Sequence, residues 1–148
     1  MSSRPKRILV IANETVAGRA LRRELLTRAD GCAAEVLVVC PALNSRLRHW
    51  LSDEDRARMD AERRLEASLG ALADLGVEAR GLIGDADPLV AVEDALRGFA
   101  AEELVVSTHP PGRSNWLERD VARRCAERFL LPVTHVVVDL ERERRAAA

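Results

Sequence analysis

Five short runs rich in β-branched residues, separated by four stretches with an apolar stripe at helical period, predict a single α/β domain built on a parallel sheet. The runs are continuously apolar instead of alternating, the pattern of strands covered by helices on both faces. The 148 residues fit one core, and a domain of that size buries about 70% of its unfolded surface without help from disulfides or metal. Residues 1–148 are therefore read as one domain, with 1–6 and 141–148 as flexible ends.

The strands are expected at Ile8 to Ala12, Val36 to Cys40, Val77 to Ile83, Leu104 to Ser107 and Val133 to Val138. The helices between them carry the stripes Leu21, Leu25, Ala29; Leu65, Leu69, Leu72; Val92, Leu96, Phe99; and Leu117, Val121, Cys125. Each stripe packs one face on the sheet and leaves Arg and Glu in water. Asp87 before Pro88 signals an N-cap and first helical position, and Ser114 signals the cap of the last helix. Gly31 and Gly76 stand where left-handed C-caps belong. The segment from Pro41 to Glu54, with Asn44, Arg46, Arg48, His49 and Trp50, has no clean stripe and reads as the longest connection.

Composition removes several classes of function. Lys plus Arg (23) nearly cancel Asp plus Glu (24), for a formal charge of −1, so no basic field gathers nucleic acid. Aromatic residues are 3% of the chain and Tyr is absent, which leaves no stacking platform for single strands. No apolar run reaches membrane-spanning length, and Met1 to Arg7 leads into a strand without a secretory apolar segment, so the expected location is cytoplasmic. Cys32, Cys40 and Cys125 form no Cys-x-x-Cys pair and are read as reduced apolar side chains, with no metal site.

In an open parallel sheet, ligands bind outside the carboxyl ends of the strands, where the strand order reverses. The loops that matter are then Asn13 to Gly18, Cys40 to Leu43, Gly84 to Pro88 and Ser107 to Ser114. His109 and Cys40 border this crevice, but the sequence identifies no acid-base partner for His109, and no Lys or His nearby in sequence marks Cys40 as an activated thiolate. His135, inside a strand, is read as structural. Asp85 and Asp87 are read as turn and cap residues, not as a catalytic pair. Trp50 and Trp116 are read as lid packing or as cover for a bound base. The basic run Arg119, Arg123, Arg124, Arg128 is interleaved with Glu118, Asp120 and Glu127, the pattern of a solvated helix face.

Four segments, Ile8-Leu-Val-Ile-Ala-Asn13-Glu-Thr15, Gly84-Asp-Ala-Asp-Pro88, Leu104-Val-Val-Ser-Thr-His109 and Pro132-Val-Thr-His-Val-Val-Val-Asp139, follow one another in an order and spacing that resembles the universal stress protein family. The resemblance implies an adenine nucleotide alpha hydrolase-like fold, with the sheet in the order 3-2-1-4-5 and helices on both faces. It also implies a regulatory protein that binds ATP or AMP, with magnesium for the triphosphate, and whose enzymatic activity is at most weak ATP hydrolysis. The implied ligand-binding residues are Asn13, Thr15, Cys40, Gly84, Ser107, Thr108, His109, Gly112, Arg113, Ser114, Asn115 and Arg119.

The phosphate loop departs from the family's glycine-rich form. Asn13 stands where an Asp is expected, Gly112 is the loop's one glycine, and Arg119-Asp120 falls where the closing glycine and hydroxyl residue belong. Pro110 and Pro111 remove two amide donors. Arg113, Ser114, Asn115 and Arg119 offer side chains that grip phosphate in place of the missing amides. The resemblance further implies a homodimer through strand 5 at Val136, Val137 and Val138. The alternative is a member of the same fold that takes no nucleotide and acts through protein partners.

Overall fold

Each apolar run becomes a strand: β1 (Lys6–Ala12), β2 (Ala34–Pro41), β3 (Ala79–Gly84), β4 (Glu103–Thr108) and β5 (Val133–Val137). Between them run α1 (Arg19–Ala29), α2 (Leu51–Asp74), α3 (Pro88–Gly98) and α4 (Trp116–Arg128). The computed structural model describes residues 5–12, 19–29, 33–41, 51–74, 76–85, 87–108, 116–139, 142 and 145. The five strands form one sheet in the order β3-β2-β1-β4-β5, and every pair is parallel.

Successive side chains of a strand point to opposite faces, and that alternation sorts the apolar residues into two layers. On one face Ile8, Val10, Ala12, Val36, Val38, Cys40, Val105 and Val136 pack with Leu21 and Leu25 of α1 and Leu65 and Leu72 of α2. On the other, Leu9, Ile11, Leu37, Val39, Leu104 and Val106 pack with Leu89 and Val92 of α3 and Val121 and Cys125 of α4. Two helices thus cover each face, which explains why the middles of the central strands, Ile8 to Ala12, Val36 to Cys40 and Leu104 to Val106, are apolar on both faces.

The helix ends follow backbone chemistry. Gly76 has φ +86, its N–H donates to the Ala73 carbonyl at 2.9 Å, and the Val77 N–H donates to the Leu72 carbonyl at 2.8 Å. These paired bonds are the Schellman C-cap that a glycine permits. Val77 is buried with Leu72 in the same layer, so it belongs to this cap, and β3 begins at Ala79 instead of Val77. At α3, Asp87 is the N-cap, its carboxylate accepting from the Leu89 N–H at 3.0 Å, with Pro88 at the first helical position. Phe99 lies just past α3, where its N–H bonds the Ala95 carbonyl.

Three further boundaries differ from the sequence expectation. α2 begins at Leu51, so residues 51–54 are helical and not loop. β1 begins at Lys6, inside the segment assigned to a flexible end. Val138 follows β5 but still donates to the Thr108 carbonyl at 2.8 Å, continuing the ladder. Asn44, Arg46, Arg48, His49, Trp50, Gly31, Cys32 and Ser114 lie outside the described residues.

Glu103 opens β4 at 8% exposure. Its Oε2 is 3.0 Å from Lys6 Nζ and its Oε1 is 3.6 Å from Arg28 Nη1. Oε2 makes no aligned hydrogen bond, so Lys6 balances it by charge alone. A buried carboxylate requires such compensation. These charges gather at the amino ends of β1 and β4, the end of the sheet opposite the strand-order crevice.

Candidate functional site

β1 lies between β2 and β4, and the chain leaves it in opposite directions on the two sides, so the strand order reverses between β1 and β4. Ala12, the last residue of β1, pairs in register with Ser107 of β4. Ser107 in turn pairs with Val136, and Cys40 pairs with Ile83. Cys40 follows Val39, the register partner of Ile11, and so stands beside Ala12. Ala12, Cys40 and Val136 belong to the layer under α1 and α2, and alternation from Val105 puts Ser107 on the same face. The floor at the reversal point is thus a row of three small side chains, Cys40, Ala12 and Ser107.

The Ser107 side chain is the polar member of that row. The residue is 4% exposed, and among the described residues its Oγ has no hydrogen-bond partner. Thr108 alternates to the α3 and α4 face, where its Oγ1 lies 2.6 Å from His135 Nε2. The hydroxyl supplies the proton when Nε2 is bare, and the ring supplies it otherwise. His135 therefore holds β5 to β4, the structural role expected of it, and Thr108 is committed to that bond.

Gly84 ends β3 in register with Pro41. A Cβ there would lie 2.7 Å from the Ala91 Cβ and 3.0 Å from Val39 Cγ1. The glycine is thus required for α3 to approach the sheet, a packing role independent of any ligand. The acidic pair beside it is occupied by backbone: Asp85 Oδ1 accepts from the Asp87 N–H at 2.8 Å, and Asp87 caps α3. This Asx turn and cap account for both carboxylates.

Cys40 is buried near the end of β2, and Cys125 is buried on the sheet-facing side of α4. Burial pushes the Cys125 thiol up to about 11, above its ordinary value, against a smaller pull from Arg124 and Arg128. Such a thiol stays protonated at neutral pH and is a poor nucleophile. Among the described residues no group of three His, Cys, Asp or Glu is placed to hold a metal ion.

Of the residues expected in the site, Cys40 and Ser107 meet on one face at the reversal point. Thr108 and Gly84 stand at the same strand ends but are directed to the opposite layer. Arg119 falls in the first turn of α4. Asn13, Thr15, His109, Gly112, Arg113, Ser114 and Asn115, with the side chain of Arg119, lie outside the described residues. Ala12 and Val136, which flank Ser107, were not singled out as site residues in the sequence, because an apolar residue at a strand end looks like any other core position.

No family model matches the chain and no curated protein matches it. Solved structures do. A universal stress protein from Archaeoglobus fulgidus is similar at 16% identity, with 89% of this chain and 94% of that chain covered and a TM-score of 0.57. A universal stress protein family protein from Arabidopsis thaliana, solved with AMP bound, is similar at 14% identity, with 93% and 95% covered and a TM-score of 0.58. At these identities the likeness establishes the fold: this chain has the architecture of universal stress proteins along nearly its whole length.

Proposed function

We propose that the protein is a universal stress protein-like regulator that binds an adenine nucleotide, AMP or ATP, at the carboxyl ends of β1 and β4. The observation that carries this reading is the reversal point itself, where Ala12 and Ser107 stand in register between oppositely wound halves of the sheet. The AMP-bound neighbour from Arabidopsis thaliana, alike over 93% of this chain, supports the choice of ligand. The phosphates would be gripped by Arg113, Ser114, Asn115 and Arg119, residues with the donors that a glycine-poor loop lacks. No helix of the described residues is long and apolar enough to cross a membrane, and the proposed location is the cytoplasm.

The proposed assembly is a homodimer through β5. That strand is an edge of the sheet, and Val137 on it is 45% exposed, whereas Val136 and Val138 are buried beneath the helices. An apolar edge of this kind is a ready template for a second chain. Titration calorimetry with AMP, ADP and ATP, each with and without magnesium, tests the nucleotide reading. Saturable binding of AMP or ATP is expected, and the absence of heat with all three would refute it.

A further inference from the structure

α1 and α2 share one layer, both packed on the sheet face that holds Val36, Val38 and Cys40. Their charges are equal and opposite. α1 has four arginines and one glutamate, a net charge of +3, whereas α2 has four arginines and seven carboxylates, a net charge of −3. Among the described residues each helix also exposes one large apolar side chain, Leu26 at 48% and Met59 at 57%. Helical spacing sets these beside the charges: Leu26 follows the exposed Arg22 and Arg23 by one turn, on the side of α1 away from Leu21 and Leu25. On α2, Met59, Glu62 and Glu66 fall at helical spacing in one exposed stripe, bordered by Arg63. Gly70 continues that stripe, and among the described residues nothing lies within 4 Å of the place its Cβ would take.

We propose that this outer layer docks a second copy of the chain, with α1 of one protomer against α2 of its partner. A lone exposed Leu or Met is ordinary on a protein surface. Here the two stand in opposite charge settings on helices of the same layer, so the chain itself carries the acidic surface that the basic helix fits. In a parallel sheet both helices run from the carboxyl to the amino ends of the strands. A two-fold axis between and along them therefore lays α1 on the partner's α2 and α2 on the partner's α1, and each contact occurs twice. Leu26 then faces the stripe from Met59 to Gly70, and Arg22 and Arg23 face Glu62 and Glu66. Exposed ion pairs are worth little one by one, so the association is weak and seen at low salt. It uses neither the edge of β5 nor the crevice, and it stands whether or not nucleotide binds.

Sedimentation equilibrium of the full chain tests the contact. Self-association should weaken by about tenfold between about 0.05 M and about 0.5 M salt, as screening shortens the reach of the charges. At low salt, Arg22→Glu with Arg23→Glu should weaken it by about tenfold or more, and so should Glu62→Arg with Glu66→Arg, because attraction becomes repulsion in both copies of the contact. An equimolar mixture of the two double variants should associate again, since each then offers the charge that the other needs. Val137→Lys should leave this step in place, which separates it from pairing through β5. A wild type with no salt-sensitive association would overturn the proposal. So would association that ignores either reversal, or a mixture that stays apart as its components do. Thermal midpoints near that of wild type check that the variants fold. Should either double variant not fold, Leu26→Ser should also weaken association at low salt, and an unchanged constant would count against the contact.

Discussion

Thr108 Oγ1 and His135 Nε2 lie 2.6 Å apart, a side-chain bond that joins β4 to the edge strand β5. β5 is the last strand in sequence and has one neighbour, so this bond adds a fixed point beyond the backbone ladder. Thr108 is 5% exposed, so its hydroxyl is largely shielded from water.

Replacing His135 by Leu should therefore destabilise the protein by about 1 to 3 kcal/mol, the cost of orphaning a buried hydroxyl. Adding Thr108→Val to that variant should recover part of the loss, since both partners are then apolar. Urea unfolding of wild type, single and double variants measures the cycle. A double variant no more stable than His135→Leu would show that the hydroxyl bond contributes nothing.

Gly84→Ala places a methyl group 2.7 Å from the Ala91 Cβ, on a helix that is itself packed against β2 and β3. Overpacking of this kind costs about 1 to 3 kcal/mol. Chemical denaturation should show that loss whether or not nucleotide is present. Unchanged stability would mean that α3 can retreat from the sheet without penalty.

The cap of α3 offers a milder test. Asp87→Ala removes the acceptor for the Leu89 N–H and should cost about 1 kcal/mol. Asp87→Asn, which keeps an acceptor, should cost less, and equal losses for the two would contradict the capping role.

Cys125 gives the protein a pH dependence at the alkaline end. Its folded-state value is pushed up to about 11, so the folded protein holds the thiol proton more tightly than the unfolded chain. The stability this reflects is complete below the unfolded thiol value and is lost as pH rises towards 11. Between those limits wild type should lose stability relative to Cys125→Ala at up to about 1.4 kcal/mol per pH unit. Parallel profiles for the two proteins would show that the thiol does not titrate differently on folding.

Most of the fold was legible in the sequence because the signals were redundant. Each strand was marked by β-branched content, each helix by its stripe, and α3 by an Asp-Pro cap whose geometry leaves little choice. Val77 misled, because an apolar residue just before a strand looks like its first residue, whereas here it closes the cap of α2. Glu103 was also invisible: one acidic residue at a strand start reads as solvated, and only the pairing of β1 with β4 and the approach of α1 bring Lys6 and Arg28 to it. For the site, Cys40 and Ser107 could be placed at strand ends from the sequence. Their sharing one face with Ala12 depends on strand order and register, which no local pattern encodes. The loop residues from Asn13 to Thr15 and from His109 to Asn115 stand on sequence alone.

The exposed edge makes one further commitment. If β5 pairs with a second chain, Val137→Lys should convert the dimer to monomers in sedimentation, because a charge then occupies an apolar contact. A dimer that persists would place the interface elsewhere.

The central claim is that the crevice between β1 and β4 takes an adenine nucleotide, and thermal unfolding with AMP in excess tests it most directly. At 100 times its dissociation constant a ligand stabilises the folded state by about 2.7 kcal/mol. For a domain of this size that is a rise of several degrees in the midpoint, and it should grow with AMP concentration. A midpoint that stays fixed across the AMP series, and across ADP and ATP with magnesium, would contradict the account and leave the fold without its proposed ligand.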